Sequence, residues 1–333
     1  MSEEQKAELT RLADIATSQF YVPNNNFLGN FVSETDRLPE KLKSCADVFR
    51  NNLEATWRSA AIPYSLVGGS VSRRRFDNFH SAECIRALKK VQPGANLTAE
   101  LEREANEIAM QKFAEFMQTP EGSDWFIRAI LEELNSHTKI GEFVIGAREL
   151  LTNTVVMVWG AFEVFASDIL TAYLNYTPEA AGRLLSDDRT KKHYSGRLSP
   201  DALEAFNFDV SKSMGTVLLG ERGLDSLPVM RGVFQVLFPQ FIELHRTAAS
   251  DELWLLWQRR HLIVHKRGIV DVAYLKKTSD RIALGERLEI TGDDVDIAFA
   301  NVVATATSLA RALTSVSSPS AQGTIAAPES DHG

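Results

Sequence analysis

Between Glu252 and Tyr274 the chain reads ELWLLWQRRHLIVHKRGIVDVAY, an apolar run that ends in a dense cluster of Arg, His and Lys. Two residue types in that cluster can do chemistry together. The imidazole of His265, with an ordinary pKa near about 6.5, can give or take a proton at neutral pH. The guanidinium of Arg260 can hold an oxyanion through two parallel hydrogen bonds and stabilise charge developing on it. His261 stands between them, placed to bind a substrate or to orient Arg260.

These residues need a helix to position them, and the flanks supply its signals. Ser250 is the expected N-cap, with Asp251 and Glu252 in the first turn, where the helix dipole favours anions. Lys266 and Arg267 close the last turn before Gly268. Leu253, Trp257, Arg260 and Val264 recur at spacings of four, three and four, so Arg260 belongs to the stripe predicted to face inward. An arginine aimed at a core needs a partner. Five residues at about 100° each set Arg260 and His265 roughly 140° apart around the helix, so they converge only through the reach of Arg or across a dimer. Simpler readings compete. A basic helix end that complements the dipole accounts for Lys266 and Arg267. His261 and His265, four apart, share a face and make half of a zinc site, but no Glu follows His261 as in HExxH and no Cys cluster offers further ligands.

Arg260-His261-Leu262-Ile263-Val264-His265 has the form R, a polar residue, three more, then H, and continues into Gly268, Asp271 and Tyr274. In this the chain resembles the HEPN family, a fold of antiparallel helices common in bacterial toxins and phage-defence proteins, whose active members are metal-independent RNases. The resemblance covers roughly the C-terminal half. It implies an all-α antiparallel bundle and a homodimer formed through the motif helix, with the active site where two motif helices meet. It implies RNA cleavage by attack of the ribose 2′-hydroxyl, with Arg260, His265, His261 and Glu163 as catalytic residues. Glu163 would pair with Arg260, and Arg259, Lys266 and Arg267 would contact RNA. His261 stands where the family often has Asn. No cofactor and no metal are implied, and an antitoxin or sensor partner is. The rival from another class is a non-catalytic helical module that dimerises and binds a protein or nucleotide. A metal-dependent hydrolase using His261 and His265 is a third.

A net charge of -8 repels a phosphate polymer on average, so any RNA contact must be local. Two further basic patches offer one: Arg73 to Arg75 with Arg86, Lys89 and Lys90, and Arg189, Lys191, Lys192, His193 and Arg197. Each reads as solvated surface or loop before it reads as a binding groove. Cys45 and Cys84 have no metal-type spacing and suit free thiols in a reducing compartment. Val155 to Leu170, the longest apolar run, is interrupted by Glu163 and Asp168, and MSEEQKAELT is no signal peptide. A cytoplasmic protein without a membrane span is expected.

The chain divides by pattern into a helical N-terminal domain over 1–145 of unknown role, a HEPN-like helical domain over 146–315 and a disordered tail over 316–333. In the first, Leu42, Ala46, Phe49, Leu53 and Trp57 mark one helix, a second follows Thr98, and Ser123 is expected to cap a third. Tyr64 to Val71, with Gly68-Gly69, reads as a short strand or loop. The best helix carries Val155, Trp159, Phe162, Ala166, Ile169 and Tyr173. Glu163 sits at the edge of its stripe, either reaching water or pairing with Arg260. Residues 176–225 read as a long connection with one helix near 200–206, a candidate lid or substrate loop. Leu227 to Leu244 begins near Pro228 and breaks at Pro239. Leu275 to Ile290 suggests a small hairpin or extended crossing. Thr291 and Asp294 resemble a capping box before a final helix.

Overall fold

The computed structural model describes residues 3–23, 26–92, 96–220 and 223–317. Along the chain come α1 (Glu3–Thr17), α2 (Phe31–Thr35), α3 (Glu40–Ala60), α4 (Ile62–Leu88), α5 (Ala99–Met117), α6 (Pro120–His137) and α7 (Gly141–Tyr176). Short helices follow: α8 (Glu179–Ser186), α9 (Lys191–Tyr194), α10 (Pro200–Glu204) and α11 (Met214–Leu219). The chain then forms α12 (Leu227–Leu237), α13 (Ile242–Ala248), α14 (Asp251–Lys266), α15 (Val272–Lys277) and α16 (Gly292–Ser317). The fold is all-α: among the described residues there is no strand, only an isolated antiparallel bridge between Ile269 and Arg287. The predicted tail lies outside the described residues from 318 onward, and α16 runs through Ser317.

Two compact units emerge: Met1–Pro23 with Arg58–Leu151 and Ile290–Asp293, and Asn24–Trp57 with Thr152–Glu289 and Asp294–Gly333. The break at Leu151 lies near the expected one at 145. Residues 24–57, however, join the second unit instead of the first. The reason is aromatic packing: Phe49 of α3 stacks on Phe165 of α7 with centroids 4.6 Å apart, and Phe31 meets both rings edge-on. A sequence stripe says that a face is buried but not against what.

In the first unit, Leu12, Phe20, Val67, Val71, Ile130 and Leu134 form the core. The predicted strand or loop over Tyr64–Val71 is instead the first part of α4. Gly68 costs about 1 kcal/mol of helix propensity relative to Ala. Packing favours it there, since a Cβ at Gly68 would sit 3.3 Å from Ile130 Cδ1 of α6. Thr98 caps α5 as expected, but Thr119, not Ser123, caps α6 by accepting from the Gly122 amide at 3.0 Å. The first basic patch is largely committed within this unit. Arg74 pairs with Glu133 at 2.8 Å, Arg73 with Asp77, and Arg86 with Glu83. Arg75 lies over the rings of Phe79, Phe116 and Trp125.

In the second unit the expected long helix is present: Val155, Trp159, Phe162, Ala166, Ile169 and Tyr173 of α7 are all buried. The region read as a loose connection is a set of short packed helices, α8 to α11. Ala181, Leu184 and Leu218 are fully buried there, and so is Tyr194, whose hydroxyl donates to the Gly223 carbonyl at 2.6 Å. A lid reading does not survive that packing. The second basic patch is partly tied down, with Arg189 on Asp187 and Lys191 on Asp188. Pro228 opens α12 at its first turn, and Pro239 separates it from α13, as the pattern predicted. By length and composition α7 and α16 could each cross a membrane, but 50% and 67% of their most apolar windows are buried inside the protein.

Candidate functional site

The motif helix α14 begins where its sequence says it should. The Ser250 hydroxyl accepts from the Leu253 amide at 3.2 Å, and Asp251 and Glu252 occupy the first turn. Leu253, Leu256, Gln258 and Leu262 are buried, while Val264, predicted to lie in the inward stripe, is 49% exposed. The inward face is therefore rotated toward Leu256 and Leu262, and Arg260 lies at its edge, half-buried. The helix ends one residue earlier than the glycine implied. Arg267 takes a left-handed conformation (φ 52°), Gly268 another (φ 77°), and both amides turn back to the Leu262 carbonyl. Two successive left-handed residues make Gly268 costly to replace.

Arg260 Nη2 approaches Glu163 Oε2 at 3.4 Å, across α14 and α7. The same oxygen accepts from the Trp159 indole at 3.2 Å, so the carboxylate is held from its own helix as well. Burial pushes the Glu163 carboxyl above the usual carboxylate range; Arg260 and Trp159 oppose that shift, and Asp225 adds to it. Arg260 Nε is buried without a partner. The guanidinium is thus anchored at one nitrogen and unsatisfied at another.

His261 and His265 stand on the exposed side of α14 with ring centroids 4.5 Å apart. Partial burial lowers the His261 pKa below its ordinary value, and the neighbouring His265, Lys277 and Arg260 lower it further. His261 is accordingly a neutral donor or acceptor at pH 7. Lys266 and Arg267 are exposed beside the pair. Among the described residues, no group of three or more His, Cys, Asp or Glu side chains converges to hold a metal.

Arg259, expected at the RNA surface, is placed elsewhere. Its Nη1 donates to Asp294 of α16 at 2.6 Å, and its Nη2 to Asp280 at 3.3 Å, with its side chain only 16% exposed. Burial works to lower its pKa, but the two aspartates outweigh burial and hold it above the usual guanidinium value. Tyr274 donates its hydroxyl to Asp280, and Asp271 caps α15 by accepting from the Tyr274 amide at 2.8 Å. Gly268, Asp271 and Tyr274, which extended the motif, therefore shape the chain behind α14. Asp294, read as part of a capping box, serves this ion cluster. Asp280 carried no sequence signal, since nothing local marks an aspartate that meets an arginine 21 residues earlier.

No family model, curated protein or solved structure matches the chain.

Proposed function

We propose that this chain is a metal-independent endoribonuclease of HEPN type that works as a homodimer through α14, in the cytoplasm, as a toxin or anti-phage effector. The observation that carries the reading is the arrangement on α14: Arg260, anchored to Glu163, lies at the edge of a surface bearing the exposed pair His261 and His265. Arg260 binds the scissile phosphate through the donors that Glu163 leaves unmet. His265 takes the proton of the ribose 2′-hydroxyl as its oxygen bonds to phosphorus, and the bond to the 5′-oxygen breaks. The leaving oxygen is protonated by an imidazolium, that of the partner copy's His265, while neutral His261 hydrogen-bonds the substrate or orients Arg260. Products are a 2′,3′-cyclic phosphate and a 5′-hydroxyl. Glu163 is a positioning residue, and Lys266 and Arg267 attract the strand.

The dimer is supported by exposed apolar side chains on the two helices that carry the ion pair: Met157 (59%) and Val164 (45%) on α7, with Val264 on α14. The same residues favour a second reading, a non-catalytic module that docks a partner on this face. Cleavage of total RNA in excess EDTA separates the two. Wild type should cut, and His265→Ala should lose about 10²-fold or more with its circular dichroism unchanged, the usual scale for removing a general acid or base. DNA of the same sequence should resist. If neither protein cuts, with or without added Mg²⁺ or Zn²⁺, the module reading stands.

A further inference from the structure

At the N-terminal end of α14 a cleft of about 610 Å³ opens among Arg231, Asp251, Trp254, Lys277, Ser279 and Asp280. That volume lies within the range of small-molecule sites, about 300–1,000 Å³. Its wall is well fixed. Arg231 Nε donates to the Ala248 carbonyl at 2.6 Å, and the guanidinium lies 5.4 Å from the Trp254 ring centre. The Trp254 indole donates to the Lys277 carbonyl at 2.8 Å, which sets the plane of the ring.

The Arg231 side chain is not fully satisfied: its Nη2 is buried and has no partner. Leaving a buried donor unsatisfied costs about 1–3 kcal/mol, and folded proteins seldom do so without a reason. Burial already pushes the Arg231 pKa below its usual value, with Asp251 opposing, so a negative charge brought to it would relieve that strain on the cation. Lys277, an exposed residue, also lines the cleft. Of the two acids, Asp280 is engaged by Arg259 and Tyr274 and does not compete for Arg231. Asp251 is exposed and can turn to water.

We propose that this cleft binds a small organic phosphate monoester, its oxyanion gripped by Arg231 and Lys277 and its body laid against Trp254. Two cations suit a dianion with several acceptor oxygens better than a neutral ligand. An aromatic wall under a cation suits a ligand with a flat apolar part. The proposal does not rest on the ribonuclease reading: Arg231 and Trp254 take no part in it, and Lys277 touches it only as a charge near His261.

The test is titration with phenyl phosphate at fixed ionic strength, followed by tryptophan fluorescence and by the thermal midpoint, with phenol as the control. Wild type should show a saturable fluorescence change and a raised midpoint that phenol does not produce. Lys277→Ala, an exposed position that should fold normally, should weaken binding several-fold, and Arg231→Gln should abolish it. Trp254→Phe should lose most of the fluorescence change. The proposal is overturned if millimolar phenyl phosphate gives no saturable response, if phenol does as well, or if Lys277→Ala binds as tightly as wild type. Should Arg231→Gln fail to fold, the Lys277 and Trp254 variants decide the matter.

Discussion

Replacing Arg259 by Gln removes the cation from between two carboxylates that are only 15% and 21% exposed, Asp280 and Asp294. Breaking a buried pair from one side costs about 3–5 kcal/mol, because the remaining charge is stranded. Here two acids are stranded, but each still reaches some water, which screens it. An expected loss of about 2–3 kcal/mol follows from setting the lower end of the first range against that screening. It is a large share of a folded domain's total of about 5–15 kcal/mol. With a urea slope of about 2–3 kcal/mol per M, the midpoint should fall by about 1 M. Fluorescence reads the relevant part of the chain, because Trp57, Trp159, Trp254 and Trp257 lie in the second unit and only Trp125 in the first. Asp294→Asn should recover part of the loss when combined with Arg259→Gln, since the double variant strands one acid fewer. A loss of stability below about 0.5 kcal/mol, the scale of an ordinary surface substitution, would refute the structural role. If RNA cleavage were lost at the same time, Arg259 would belong to the substrate surface after all.

Three further outcomes are expected. The Glu163 carboxyl is raised, so the folded state holds its proton more tightly than the unfolded chain does. Its contribution to stability is then full below the unfolded pKa and is lost as pH rises through the folded value. Glu163→Gln should flatten the stability profile in that window and slow RNA cleavage by loosening Arg260; a variant with full cleavage would remove Glu163 from the site. By NMR, His261 should titrate below the ordinary histidine midpoint, and His265→Ala should move it upward; a midpoint at or above the ordinary value, or no upward shift, would contradict the packed pair. The same lowering means that the His261 contribution to stability is present above the unfolded pKa and lost as pH falls through the folded one. Gly215→Ala would place a Cβ 2.1 Å from the Thr171 carbonyl, so α11 must move off α7. Calorimetry should show a loss of about 1–3 kcal/mol, the usual cost of overpacking, and an unchanged midpoint would mean that this contact is loose.

What the sequence determined by itself is what depends on near neighbours along the chain. Ser250 caps α14 because the acceptor and the Leu253 amide are three residues apart. Pro228 opens α12, and the four-three stripe of α7 is buried from Val155 to Tyr173. The divergence of Arg260 from His265 also followed from helix geometry alone, and the structure turns one inward and leaves the other exposed. What only tertiary structure decided are matters of partner choice. Tyr64–Val71 reads as a short strand or loop, yet Ile130 of another helix makes a small residue useful at Gly68 and the stretch is part of α4. Residues 24–57 take their place from the stack of Phe49 on Phe165, and the short helices of 176–225 from burial of Tyr194. Arg259 and Arg260 are adjacent and chemically identical, but about 100° of helix rotation sends one to Asp280 and Asp294 and the other to Glu163. Local pattern says which way a side chain points; only the folded chain supplies what waits there.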